Sequence, residues 1–394
     1  MTRSEKDQGV PAVDFRFTED QELLRNTIRE FAETEVAPDI MKFDESQEFP
    51  RDVIAKAGEL GLLGILFPEE WGGAGLGYTE YAIAVEELSR VDGSVGISIA
   101  AHNGLCSNHV YRFGNDAQRE KWLKPLAQGD WIGGWSLTEP TAGSDAGGTR
   151  STAVEDGDHW VLNGAKTFCT HGTVGDAIVV FAVTDKDKGK KGISAFIVKQ
   201  GTPGFRPGKK ENKMGLRASD TSEVIMEDCR IPKDQLIGER GAGFIDAMKI
   251  LDGGRISIAA LALGMARGAY EAAAKYAKQR EQFGKPIAAF QAVQFMLADM
   301  ATKIEAASLL VYRAAWMKDR GMNITQESAM AKLFASEIGV EVADKALQVF
   351  GGYGYVKDFP VEKFYRDMKL CTIGEGTSEI QRLVIAREIL KNIG

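Results

Sequence analysis

Twice along this chain the apolar pattern changes its period, once near residue 131 and again just after Gly241-Ala242-Gly243. That double switch constrains the fold most, because a helical repeat of about 3.6 residues and a strand repeat of 2 bury different faces. Residues 15 to about 130 read as helical, opening with Thr18 and Gln21 at capping-box spacing ahead of Leu23, Leu24, Ile28 and Phe31. From about 131 to 240 the apolar residues fall in short β-rich runs, among them Ile178-Val179-Val180-Phe181 and Ala195-Phe196-Ile197-Val198. Turn signals at Asp156-Gly157, Lys188-Gly189, Lys191-Gly192 and Pro203-Gly204 separate them, which predicts an antiparallel sheet, sandwich or small barrel. Segments near 243–279, 288–319, 324–350 and 378–391 return to helical spacing and predict a helix bundle. The expected plan is a helical domain over 1–130, a β domain over 131–242 and a helical domain over 243–394.

Within the first part, Phe67-Pro68-Glu69-Glu70-Trp71-Gly72-Gly73 opens a glycine-rich loop that runs to Gly77. It lacks the preceding strand and following Lys-Ser/Thr of a phosphate loop, so it reads as a turn between helices, with Trp71 packed inside.

Composition narrows the function. A net charge of −8 argues against nucleic acid as the main partner, which calls for a basic face. Cys106, Cys169, Cys229 and Cys371 lie far apart, as reduced thiols do, and neither they nor the four histidines have metal-ligand spacing, so no metal is expected. Residues 1–14 lack the apolar core of a signal peptide, and no apolar run approaches the roughly 18–20 residues of a membrane span. A cytoplasmic protein with no membrane contact is expected.

Glu375 stands between Gly374 and Gly376, just before a helix start. Flanking glycines admit a bound molecule close to the backbone, and a carboxylate held there can take a proton from a substrate polarised by nearby amides. The plainer reading is a helix cap, with Ser378 and Gln381 at capping-box spacing and Glu379 in the first turn. The run Trp135-Ser136-Leu137-Thr138-Glu139-Pro140-Thr141-Ala142-Gly143-Ser144-Asp145 reads either as backbone offered to a flat polar ligand or as a strand ending in a turn. Asp252-Gly253-Gly254-Arg255, taken alone, reads as a helix entry capped by Asp252.

Together with Arg280-Glu281-Gln282-Phe283-Gly284 and Gln348-Val349-Phe350-Gly351-Gly352, these motifs resemble the acyl-CoA dehydrogenase family in order and spacing, from about Phe15 to Asn392. Residues 329–387 most resemble the short-chain, butyryl-type members. The resemblance implies a mainly α fold: an N-terminal helical domain, a central β-barrel and a C-terminal four-helix bundle. It also implies FAD between barrel and bundle, and a homotetramer with flavin sites shared across a dimer face.

Carried onto this chain, Trp135, Leu137, Thr138, Gly143 and Ser144 would line the flavin, with Phe168, Cys169 and Thr170 packed on its other side. Arg280, Gln282, Phe283, Gln291, Gln348, Val349, Gly351 and Gly352 would hold the diphosphate and adenine end. Thr377 and Glu379 would complete the flavin contact, while Ser144, Asp252, Arg255 and Gly376 would contact the acyl-CoA.

The implied chemistry is α,β-dehydrogenation of a short- or medium-chain acyl-CoA to the trans-2-enoyl-CoA. Glu375 would serve as α-proton base, and electrons would pass to an electron-transfer flavoprotein. Burial should raise the pKa of Glu375. Isovaleryl-type relatives carry the base one place before the arginine, which here is Gly254. Val95-Gly96-Ile97 offers no arginine for a dicarboxylate, and Gly374 replaces the tyrosine of many straight-chain relatives, which would widen the acyl cavity for a branched chain. A flavin monooxygenase or oxidase on the same architecture is the alternative, and such relatives generally lack the carboxylate found at Glu375.

Overall fold

A computed structural model describes residues 15–392, so the reading of residues 1–14 lies outside the described residues. The first helical part holds α1 (Glu19–Phe31), α2 (Ile40–Ser46), α3 (Arg51–Glu59), α4 (Tyr78–Val91), α5 (Gly93–Ala101) and α6 (Asn108–Phe113), then the single turns α7 (Asp116–Gln118) and α8 (Lys124–Ala127). The capping box at α1 forms in both directions: Gln21 N donates to Thr18 Oγ1 at 3.2 Å, and Thr18 N donates to Gln21 Oε1 at 3.0 Å. The glycine-rich loop joins α3 to α4 as expected, but Trp71 ends a single 3₁₀ turn there and is half-buried, a correction to its interior placement.

The middle part is one sheet of β1 (Gly133–Ser136), β2 (Thr152–Asp156), β3 (His159–Thr170), β4 (Ala177–Val183), β5 (Ile193–Lys199), β6 (Phe205–Lys210), β7 (Thr221–Pro232) and β8 (Leu236–Ile237). Its strand order is β6-β7-β3-β2-β4-β5-β8, with β1 parallel to β4 off that path. Strand β4 is apolar throughout because both of its faces are covered. Val179 and Phe181 join a core shared with Trp122, Leu126 and Ala247, while Ile178 and Val180 face a second core with Trp160, Leu162, Met226 and Ile231. The sheet thus folds its β3–β7 half over its β4–β5 half.

A closed barrel was expected, and the sheet is not one. Among the described residues no hydrogen-bonded pairing joins β6 to β8, the two ends of the path. Strand β8 is only two residues long, and the β3–β7 ladder shifts register between Leu162 and Gly164 and again between Lys166 and Cys169. Those bulges bend the strand enough to cover the second core without bringing the edges together.

After the sheet comes α9 (Gly243–Gln279), followed by a small ribbon of β9 (Glu281–Gln282) and β10 (Lys285–Pro286). The chain ends with α10 (Gln291–Asp319), α11 (Thr325–Phe350), α12 (Val361–Met368) and α13 (Ser378–Asn392). Small residues on α9 let α4 approach closely: a Cβ at Gly264 would lie 2.2 Å from Glu86 O, and one at Gly268 would lie 2.0 Å from Arg90 O. The first and last helical parts therefore share one core, joining Tyr81, Leu88 and Ile99 to Leu261, Ala315, Ala335 and Met368. A buried ion cluster ties all three parts together. Lys363 on α12 donates to Asp92 at the start of α5 (2.8 Å) and to Asp367 (2.6 Å). The other oxygen of Asp367 accepts the amide of Leu216, in the loop before β7, at 2.6 Å.

Candidate active site

Glu375 sits between the end of α12 and the start of α13 with a left-handed backbone, φ 52°, followed by Gly376 at φ 92°. A non-glycine residue in that region carries strain, which persists only where the surroundings hold it. Two side chains do so. Gln381, one turn into α13, donates Nε2 to the carbonyls of Glu375 (3.3 Å) and Gly376 (2.9 Å), and Lys332 of α11 donates Nζ to Gly376 O at 2.6 Å.

The helix cap does not form as its spacing suggested. Thr377 takes that place, its hydroxyl accepting from Ile380 N at 3.4 Å, because Gln381 is turned back to the Glu375 segment. Ser378 Oγ is left buried with no partner.

The Glu375 carboxylate points at α9. Its Oε2 is buried without a hydrogen-bond partner, over Gly254 and beside Leu105. Burial pushes this carboxyl up to about 7, against the opposing charges of Lys332 and Arg255. A carboxylate with that value and a free oxygen is suited to accept a proton near neutral pH.

Arg255 follows Gly254 on α9, is buried, and donates Nη1 to Asp252 Oδ1 at 2.5 Å. Asp252 lies within α9 and does not cap it, and its second oxygen accepts from Thr325 Oγ1 at the start of α11 (3.1 Å). The structure therefore gathers Glu375, Gly376, Arg255 and Asp252 around one point. Glu379 falls outside the group: it is exposed on the first turn of α13, and a hydrogen bond from Thr377 holds its carboxyl below the usual range.

A second group lies along β1 and the β3 bulge. Trp135 is half-buried on β1 with Nε1 3.5 Å from His109 Nδ1, Leu137 is buried, and Thr138 O accepts from Thr167 N at 2.9 Å. Gly143 and Ser144 are exposed, and a side chain at Gly143 would meet open space. Phe168 has φ 55° and is 67% exposed, while Thr170 is half-buried. Ser136 Oγ and Thr167 Oγ1 are buried with no partner. Cys169 is buried, and His171 Nδ1 is engaged by Gly133 O at 2.9 Å.

A third group surrounds an open cavity of about 580 Å³ lined by Arg280, Gln282, Val349, Gly351 and Gly352, together with Tyr276 and Tyr353. The Arg280 guanidinium lies 5.6 Å from the centre of the Tyr353 ring. Phe283, Gln291 and Gln348 are exposed close by in sequence but do not line it. Phe283, at the tip of the β9–β10 ribbon, has φ 54° and is 93% exposed. No residue of the first two groups borders this cavity.

Sequence reasoning missed Lys332, read Gln381 only as a capping partner, and missed two tyrosines, buried Tyr81 and half-buried Tyr78. Tyr81 donates to Ala100 O at 2.7 Å, and Tyr78 accepts from Asn108 Nδ2 at 3.1 Å against Gly253. Lys332 had a readable signal: it shares the inward face of its helix with Ser328, Ala329, Ala335, Ser336 and Gly339, where a lysine has no solvent to reach. Among the described residues no cluster of three or more His, Cys, Asp or Glu side chains has metal-binding geometry.

Three family models match the chain: acyl-CoA dehydrogenase N-terminal domain over residues 18–130, middle domain over 134–229 and C-terminal domain over 241–390. A short-chain specific acyl-CoA dehydrogenase of Clostridium acetobutylicum is 50% identical over 379 residues, covering 96% of this chain and all (100%) of that protein. Among solved structures, butyryl-CoA dehydrogenase of Megasphaera elsdenii has a TM-score of 0.94 at 44% identity, covering 96% of this chain and 100% of that one. A chain in the structure described for the electron transferring flavoprotein of Acidaminococcus fermentans has a TM-score of 0.95 at 51% identity, covering 96% and 100%.

Proposed function

Because the chain belongs to the acyl-CoA dehydrogenase family, we propose that it oxidises short- or medium-chain acyl-CoA thioesters to trans-2-enoyl-CoA with Glu375 as the α-proton base. It is an FAD-dependent oxidoreductase that passes its electrons to an electron-transferring flavoprotein, in keeping with the relatives it matches. The single observation that carries the assignment of the base is the carboxylate of Glu375, buried, with one oxygen free and its pKa near 7.

The residues present fit a flavin. Ser136 and Thr167 offer buried hydroxyls without partners beside β1, Phe168 presents an exposed ring at a strained backbone, and Gly143 leaves open space. Trp135, Leu137, Thr138, Gly143, Ser144, Phe168, Thr170, Thr377 and Glu379 would hold the ring system. Arg280, Gln282, Phe283, Gln291, Gln348, Val349, Gly351 and Gly352 would hold its diphosphate and adenine end, where a guanidinium matches a diphosphate bidentately. Bound FAD supplies a hydride acceptor for the β-carbon.

The protein's own part is proton removal and alignment. An α-proton is too weakly acidic for a carboxylate in water, so the base must be desolvated and the thioester oxygen hydrogen-bonded. Burial meets the first need at Glu375, which gains basicity as water leaves. For the second, the amide of Glu375 is the proposed donor to the thioester oxygen, and one such donor typically contributes about 3–4 kcal/mol. Arg255, Asp252, Ser144 and Gly376 would seat the thioester.

The finer architecture is proposed as domains 1–130, 131–242 and 243–394, the last a four-helix bundle. A homotetramer with shared flavin sites is supported by exposed apolar side chains, Phe283, Phe295, Trp316, Leu383 and Leu390, of the kind that mark interfaces. Among the described residues no helix is long and apolar enough to cross a membrane. A cytoplasmic setting in fatty-acid β-oxidation is the proposed context.

The test is anaerobic mixing of the purified yellow protein with butyryl-CoA, octanoyl-CoA and isobutyryl-CoA, following flavin absorbance. Rapid bleaching is expected, and its rates rank chain length and branching. A protein that is yellow but is bleached by none of the three, or whose reduced form is consumed by oxygen faster than by an electron-transferring flavoprotein, would favour an oxidase.

A further inference from the structure

Lys332 has no solvent-accessible surface, yet among the described residues no carboxylate lies within ion-pair distance of its Nζ. Its only hydrogen-bond acceptor among the described residues is the carbonyl of Gly376, at 2.6 Å. Burying an ammonium without a counter-charge is costly, so such groups are paired, neutralised or functional. One residue back along the chain from that carbonyl stands the other unpaired buried charge, the Oε2 of Glu375. The two groups are linked through the adjoining Glu375-Gly376 backbone and have no direct bond to each other.

We propose that Lys332 is a positioning residue for the reaction: it anchors the left-handed Glu375-Gly376 backbone through the Gly376 carbonyl and serves as the through-space counter-ion of the base. This rests on Glu375 being the base. The anchor is shared with Gln381, which donates to the same oxygen at 2.9 Å, so of the two anchors only Lys332 brings a charge.

Of the other groups facing the carboxylate only Arg255 adds positive charge, and its influence is smaller than that of Lys332. Arg255 on α9 is committed to Asp252 at 2.5 Å. The Cys371 thiol is pushed up to about 12 by burial, and the Tyr81 hydroxyl on α4 is raised above its usual value by burial, so both are neutral. Glu379 is exposed on α13. Burial lowers Lys332 to about 8, still above the Glu375 carboxyl at about 7, so it is cationic where the base begins to ionise, and its charge is the largest influence opposing the upward push of burial on the base.

The test compares the pH dependence of flavin reduction by acyl-CoA in the holoenzyme and in Lys332→Met, which keeps the volume but removes charge and donor. Lys332→Gln, which keeps a donor to the carbonyl without the charge, covers the case in which the methionine variant does not accumulate. The acid limb should move up by about one pH unit in either variant, as expected for loss of a nearby opposite charge. The carboxyl stretching band of Glu375, identified in infrared difference spectra by its absence in Glu375→Gln, should titrate with the same displacement. An acid limb and carboxyl titration at the wild-type position in both variants would overturn the proposal, as would a glutamine variant restored to the wild-type profile. Glu375→Gln separates the two ideas. Wild-type reduction in that variant removes the base itself, whereas its inactivity beside an unshifted Lys332→Met limb removes only the role of Lys332.

Discussion

The carboxylate of Glu375 rests on the α-carbon of Gly254: a methyl group added there would come 2.2 Å from its Oε2. One helix thus keeps a position empty so that a residue more than a hundred places later can occupy it. Gly254→Ala should push the carboxylate aside and slow flavin reduction by about 100-fold, the usual cost of misplacing a reacting group by about 1 Å. Flavin content should not change. Stopped-flow absorbance measures both, and a wild-type rate would mean that the carboxylate leaves Gly254 before it reacts.

Glu375 must be ionised to act, and its carboxyl is raised to about 7 by burial. Reduction should therefore be full above that pH and fall tenfold per unit below it. Glu375→Gln should retain FAD and bind acyl-CoA while losing about 10³-fold or more in rate. An acid limb in the ordinary glutamate range, near about 4.3, would show that burial does not govern the base in the complex.

Arg280 faces an open cavity and has no carboxylate partner in ion-pair distance among the described residues. Arg280→Ala should weaken FAD retention by about 10-fold or more, the equivalent of one lost charge-assisted contact. Equilibrium dialysis or fluorescence of released flavin reads this directly. Unchanged retention would move the diphosphate elsewhere.

Acid should unfold the protein from its histidines. His102 and His109 are fully buried and pushed down to about 3, chiefly by burial. His102 is wired as a neutral ring: Nδ1 accepts from Gly133 N at 3.0 Å, which leaves the proton on Nε2 for Leu63 O at 3.0 Å. The unfolded chain binds these protons and the folded one does not, so stability is intact above the unfolded histidine pKa of about 6.5 and falls toward pH 3. Each group contributes a slope of about 1.4 kcal/mol per pH unit. Urea midpoints measured across that window should fall with pH, and His102→Gln should flatten the fall.

The periods of the apolar residues made the helix–sheet–helix order and the limits of the long C-terminal helices legible, since each records which face is buried. The expected segment 243–279 matches α9, and 324–350 differs from α11 by one residue. A barrel was not legible as open or closed, because closure depends on two strand edges meeting and a strand's own residues do not record that. Glu375 could be singled out by its flanking glycines. The roles of Gln381 and Lys332 could not, because each acts on a backbone carbonyl, and carbonyls leave no mark in the residue code. Asp252 misled for a related reason: an acid before two glycines looks like a cap, yet α9 passes straight through because those glycines are needed beside Tyr78 and Glu375.

The lysine buried between Asp92 and Asp367 has a bearing on how this chain can be recombined. Its two partners come from the start of α5 and from α12 itself, and Asp367 in turn accepts the Leu216 amide, so the cluster draws on each third of the sequence. Cutting the chain at either period change orphans a buried ion or a buried amide, and breaking such a pair costs about 3–5 kcal/mol, against a total stability of about 5–15 kcal/mol for a typical domain. Chimeras that exchange the first or last third with a relative will keep full stability only where the donor brings the matching charge. The three thirds look like modules on paper but are inherited as one piece.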